Sequence, residues 1–210
     1  MSITASLATR NLCCTRNDRV LFDDLSISLE PGGMLLVEGP NGSGKTSLLR
    51  ILTGLRLPES GDVLWRGEPI SRLSGDYYEQ VNYVGHHDGV KNELSCLENL
   101  RLARAMGIPS DLDLEDILAQ VNLYEYADSE VSSLSAGQKR RLALARLLAK
   151  ESKLWILDEP FTSLDSNSMS LFSAVFEQQL DQGGLIVMTS HHEIKLNRSV
   201  NRLKLGNESQ

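Results

Sequence analysis

Apolar runs and alternations divide the chain into its elements. Met34-Leu35-Leu36-Val37, Leu154-Trp155-Ile156-Leu157 and Leu185-Ile186-Val187-Met188 are continuous apolar runs of strand length, the pattern of strands buried on both faces. Leu25, Ile27 and Leu29 alternate with Ser26, Ser28 and Glu30, which predicts a strand with one buried face, and Leu7 to Leu29 as a whole reads as β structure at a sheet margin. Asn17-Asp18 and Pro31-Gly32-Gly33 mark turns, as does Pro58 to Gly61 before a short strand from Asp62 to Trp65. From Thr46, the spacing of Leu48, Leu52 and Leu55 places one apolar face on a helix.

Between about His87 and Ala149 the period becomes helical, with helices predicted over Cys96 to Met106, over Leu112 to Asn122, and after Leu134 towards Lys150. The pattern therefore predicts one α/β domain. Its core takes residues 1–86 and 150–210, and a helical subdomain of about 87–149 is inserted between core strands.

Composition narrows the function classes. A chain of 210 residues, 41% hydrophobic and 23% charged, can bury a full core. The net charge of −7 argues against a nucleic-acid partner bound by phosphate neutralisation. Cys13, Cys14 and Cys96 form neither a C-x-x-C pair nor a disulfide framework, which suits a reducing cytosol. No apolar run reaches the ~18 residues of a membrane span, and the N-terminus lacks a signal peptide's regions. Any membrane contact is expected through partners only.

The chemistry starts at Gly39-Pro40-Asn41-Gly42-Ser43-Gly44-Lys45-Thr46, a complete G-x-x-x-x-G-K-[ST] phosphate-binding loop set between strand and helix, with Ser47 next. Its glycines let backbone N–H groups wrap a polyphosphate while the helix N-terminus adds a favourable dipole. Lys45 reaches the β- and γ-phosphates, and Thr46 offers its hydroxyl to Mg²⁺. Asp158, closing the second apolar run, suits the Mg²⁺ shell, and Glu159 beside it can orient or deprotonate a water; alone, the pair also reads as an acidic cap before Pro160. The third run ends in Thr189-Ser190-His191, so three strand ends carry polar groups able to meet one nucleotide. Ser135 with Gln138 forms a capping box. Beyond capping, Ser135 and the helix N-terminus can bind an anion that Gly137 lets approach closely.

This order of motifs resembles the nucleotide-binding subunit of ABC transporters: phosphate loop, Leu134-Ser135-Ala136-Gly137-Gln138 for the LSGGQ signature, the run ending Asp158-Glu159-Pro160, Ser163-Leu164-Asp165 as the D-loop, and His191 as the switch histidine. The resemblance implies a phosphate-loop NTPase fold with an N-terminal antiparallel β subdomain and an inserted helical subdomain, and ATP with Mg²⁺ as ligands. It implies two copies paired head to tail, each nucleotide lying between one copy's Lys45 and the other's Ser135, Gly137 and Gln138, with Asp165 at the junction. His86 stands where the family has its Q-loop glutamine, and Arg16 where an aromatic stacks on adenine. The catalytic set it implies is Lys45, His86, Glu159 and His191.

Gly85 to Lys91, Val63-Leu64-Trp65 and the run from Leu154 to Thr162 are similar to a narrower branch, the ATP-binding subunits of bacterial cytochrome c maturation, often called the haem exporter. That likeness implies integral membrane permease subunits as partners and a peripheral position on the cytoplasmic face of the inner membrane. His86-His87 and His191-His192 invite a haem or metal reading, but strand neighbours face opposite sides and no ligand cluster stands nearby, so haem is expected on the partners. The alternatives are the ATPase of another bacterial exporter, or a soluble ABC-type clamp protein, which would carry tandem domains or coiled-coil insertions.

Overall fold

The computed structural model describes residues 6–73, 75–191 and 196–206. Its main elements in chain order are β1 (Leu7–Arg16), β2 (Arg19–Leu25), β3 (Met34–Glu38), α1 (Lys45–Leu52), β4 (Ser60–Trp65), β5 (Val81–Val84), α2 (Cys96–Ala105), α3 (Leu114–Gln120), α4 (Ala136–Ala145), β6 (Leu154–Asp158), α5 (Ser166–Asp181), β7 (Leu185–Thr189) and β8 (Asn201–Lys204).

β8, β3, β7, β6 and β5 line up in that order as a parallel five-stranded sheet. The apolar runs explain its burial. Met34 and Leu36 pack with Trp155, Leu157, Ile186 and Met188 against α2, α4 and α5, whereas Leu35 and Val37 pack with Leu154, Ile156, Leu185 and Val187 against α1 and the second sheet. Alternate side chains of each strand therefore enter two separate cores, which is why polar residues do not interrupt the runs.

The second sheet is antiparallel: β1 pairs with β2 on one side and β4 on the other, and the segments Ser28–Leu29 and Glu68–Pro69 extend it. Asn17 (φ 50) and Asp18 (φ 59) form the two-residue hairpin expected of them, closed by the Arg16–Arg19 pair. Together the sheets give the α/β architecture with an N-terminal antiparallel part that the residue pattern and the resemblance anticipate.

Element ends differ from expectation for local reasons. The helix expected to carry Leu55 ends at Leu52, because Gly54 (φ 73) turns the chain and leaves Leu55 66% exposed. The helix expected from Leu112 starts at Leu114, since the Asp113 carboxylate accepts from the N–H groups of Glu115 (2.8 Å) and Asp116 (3.3 Å). The helix expected to run towards Lys150 stops at Ala145, and Lys150–Glu151 instead pairs antiparallel with Ile108–Pro109.

Phe176 on α5 is fully buried, stacked on Phe161 (centroids 5.7 Å apart) and edge-on to Trp155 (6.2 Å). Phe176→Ala should cost about 3–5 kcal/mol by leaving a cavity beneath β6. A lower urea midpoint at unchanged slope would register it, and an unchanged midpoint would refute it.

Candidate active site

β3 delivers the chain into the glycine-rich loop, and α1 takes it out. Gly39 (φ 146) runs so close to residues 205–206 that a Cβ there would stand 2.4 Å from the Leu205 carbonyl oxygen. Gly44 (φ 102) is the N-cap of α1 and supplies no side-chain cap, so the first N–H groups of this helix are left for an external acceptor. Lys45 Nζ donates to the carbonyls of Gly39 (2.6 Å) and Pro40 (3.2 Å), and Ser43 Oγ is buried without a hydrogen-bond partner among the described residues. Pro40, Asn41, Gly42, Gly44, Lys45, Thr46 and Ser47 face a cleft of about 390 Å³.

Parallel register brings the other strand ends to the same edge. Asp158 pairs with Thr189 across β6 and β7, and Thr189 with Val37 across β7 and β3. Asp158 is 3% exposed, and both its oxygens are satisfied by hydroxyls: Thr46 Oγ1 and Thr189 Oγ1 each donate at 2.8 Å. Thr189 Oγ1 in turn accepts from the Glu159 N–H at 2.9 Å. A carboxylate and a hydroxyl beside an anion-binding loop form a donor set that fits Mg²⁺, a hard cation that takes few protein ligands alongside phosphate oxygens.

Glu159 is held at φ 54, a left-handed conformation that costs a non-glycine residue about 1–3 kcal/mol. Its Oε1 lies 3.2 Å from His191 Nε2 at the cleft wall. Arg16, His86, Asp158, Glu159 and His191 all line the cleft with the loop. One expectation about the histidines fails: His86 and His87 lie past the end of β5, and their rings meet edge to face at 5.5 Å instead of facing opposite ways. Among the described residues no three His, Cys, Asp or Glu side chains gather as a metal site. His192 lies outside the described residues.

Ser135, Gly137, Gln138 and Asp165 are not among the residues lining this cleft. The capping box forms, with the Gln138 N–H donating to Ser135 Oγ (3.3 Å) and the Ser135 N–H to Gln138 Oε1 (2.8 Å). A Cβ at Gly137 would stand 2.9 Å from the Ser163 carbonyl oxygen, so glycine there serves the packing of α4 on the 163–165 turn as well as any ligand. Asp165 caps α5 by accepting from the Ser168 N–H at 2.7 Å, and that bond holds its carboxyl below its usual range.

The motif reading leaves two contributors without an assigned role. Thr189 bridges Asp158 and Glu159, and Arg140 on α4 is 3% exposed beneath the Asp158–Pro160 turn. The signal for Arg140 is its place on an otherwise apolar helix face with Ala143 and Leu144, both buried.

Comparison with known proteins fits the geometry. Residues 22–162 match the family described as ABC transporter. Over 196 residues the chain is 45% identical to the cytochrome c biogenesis ATP-binding export protein CcmA of Mannheimia succiniciproducens, covering 92% of this chain and 91% of that protein. It is 46% identical over 190 residues to the protein of the same name from Nitrosomonas europaea, covering 90% and 89%. An ABC transporter ATP-binding protein of solved structure from Pyrococcus furiosus superposes with a TM-score of 0.81 at 22% identity, over 95% of this chain and 96% of that one, a likeness of fold. The chain binds and hydrolyses ATP as a transport ATPase, and it belongs to the ABC transporter family, in the branch of the CcmA ATP-binding proteins.

Proposed function

We propose that this chain is the ATP-hydrolysing subunit of a membrane complex that exports or remodels haem for cytochrome c biogenesis. The observation that carries this reading is 45% identity with a CcmA protein over nine-tenths of the chain. It acts as one ABC ATP-binding domain with core 1–86 and 150–210 and a helical subdomain of about 87–149. In support, 87–149 contains α2, α3 and α4 and no strand of the parallel sheet.

Each residue's role follows from its chemistry. Backbone N–H groups from Gly39 to Ser47 and the Lys45 ammonium bind the ATP phosphates, and Arg16 lies over the base. Thr46 and Asp158 hold Mg²⁺, which supplies charge neutralisation at the phosphates when bound. Glu159 takes the proton of the attacking water, with His191 orienting its carboxylate. His86 hydrogen-bonds within the closing site and links it to the membrane-facing segment that follows. A second copy, head to tail, completes each site with Ser135, Gly137, Gln138 and Asp165, in keeping with their absence from the lining of their own chain's cleft.

Integral permease subunits hold the protein to the cytoplasmic face of the inner membrane. Among the described residues no helix is long and apolar enough to cross a membrane. The test is fractionation followed by affinity purification from detergent-solubilised membranes. Expressed with its permease the protein should sediment with membranes, bring down integral membrane chains and hydrolyse ATP; alone it should stay in the supernatant. Recovery with ribosomes or DNA, or stable attachment to protein-free liposomes, would overturn the reading.

A further inference from the structure

A guanidinium has five N–H donors in a rigid fork, and burial makes each unsatisfied one costly. At Arg140 all five have acceptors. Nε donates to the Pro160 carbonyl (3.0 Å), Nη1 to the Gly85 carbonyl (3.1 Å) and Asp88 Oδ1 (3.0 Å), and Nη2 to the carbonyls of Asp158 (2.9 Å) and Glu159 (2.7 Å). One side chain thus joins three segments that differ in chemistry. α4 is capped by Ser135, the 158–160 turn carries both carboxylates, and the 85–88 segment carries His86.

Three successive carbonyls of the turn accept from the same group, and the middle one belongs to Glu159, whose backbone occupies the left-handed region. With those carbonyls fixed on one side and the Glu159 N–H fixed by Thr189 on the other, the backbone sets the direction in which the Glu159 side chain leaves the turn, and its carboxylate ends 3.2 Å from His191 Nε2. Asp88 is the one side-chain acceptor among the five. Its side chain is 28% exposed, so this arm can respond to what happens outside the site.

We propose that Arg140 is a positioning residue for ATP hydrolysis: it aims the Glu159 carboxylate by clamping the turn around it, and through Asp88 it makes that aim depend on the placement of the His86 segment. The inference rests on the role of Glu159 as the base for the attacking water. Lysine cannot replace this group, because a single ammonium offers three donors from one point and no fork.

The experiment uses the protein purified with its membrane subunits and carrying Arg140→Lys or Asp88→Asn, each alone and combined with Glu159→Gln. Arg140→Lys should lower kcat by about tenfold to a hundredfold, the scale of a misplaced catalytic group, with KM for ATP and Mg-ATP affinity within about twofold of wild type. In the Glu159→Gln background it should cost nothing further, because the group it acts through is gone. Asp88→Asn keeps the shape of one arm and removes its charge; its kcat should fall severalfold, again only while Glu159 is present. The same fold-loss in both backgrounds, or wild-type kcat in both variants, would overturn the proposal. Should Arg140→Lys fail to assemble, Asp88→Asn decides alone, and an unchanged kcat there overturns it. A wild-type complex with no ATPase activity, or Glu159→Gln turning over at the wild-type rate, would count against the role of Glu159 instead.

Discussion

Glu159→Gln should slow ATP turnover by about 10²- to 10⁴-fold, the usual contribution of a positioned general base, while Mg-ATP still binds. Glutamine has nearly the same volume and keeps every backbone contact that shapes the turn: the N–H to Thr189 and the carbonyl to Arg140. What it loses is the proton acceptor 3.2 Å from His191. Bound ATP would then persist, and two copies closed around it should elute together on size exclusion in Mg-ATP but not in Mg-ADP. Single-turnover hydrolysis separates this from weak binding. A wild-type rate would remove Glu159 from the mechanism.

Lys45→Ala should fail earlier, at binding. Hydrogen bonds to charged groups contribute about 1.5–3 kcal/mol, so losing the ammonium should weaken Mg-ATP binding by about tenfold to a hundredfold, and turnover with it. The substitution also removes the Lys45 Nζ bonds to the carbonyls of Gly39 and Pro40, leaving Pro40 only its bond from the Ser43 N–H inside the loop. Calorimetric titration with Mg-ATP reads the loss directly. Undiminished affinity would mean that the loop backbone binds the phosphates alone. The two variants are therefore distinguishable: one binds without turning over, the other loses affinity and turnover together.

Much of this architecture is legible in the residue pattern. The three apolar runs become neighbouring strands because residues that must be buried on both faces can only stand inside a covered sheet, and strands in parallel register end at one edge. The phosphate loop needs only local backbone freedom, so its residues betray it. Contacts between distant segments leave weaker traces. In the sequence Thr189 is the polar end of a strand, and only the β6–β7 register shows it bonded to Asp158. Arg140 reads there as one cation in a basic helix, and its partners lie at Gly85, Asp88 and 158–160, which no spacing on α4 specifies. Element ends depart from periodicity where a side chain or a single glycine outweighs it, as at Asp113 and Gly54. The adjacent histidines escape the alternation rule because β5 stops at Val84, beyond which it ceases to apply.

The neighbours of β3 carry a consequence for biogenesis. The strand that launches the phosphate loop is flanked by β7 and β8, and Arg202 bonds to Glu38 from 164 positions further along the chain. Such long loops must close before their contacts reward them, which makes parallel pairing slow. A nascent polypeptide exposes Met34-Leu35-Leu36-Val37 well before either flanking strand has been synthesised, leaving an apolar segment with unpaired backbone edges in the interval. Nucleotide affinity should then be among the last properties a maturing chain acquires, and a chain arrested before β7 should be a client for chaperones and proteases, without competing for ATP.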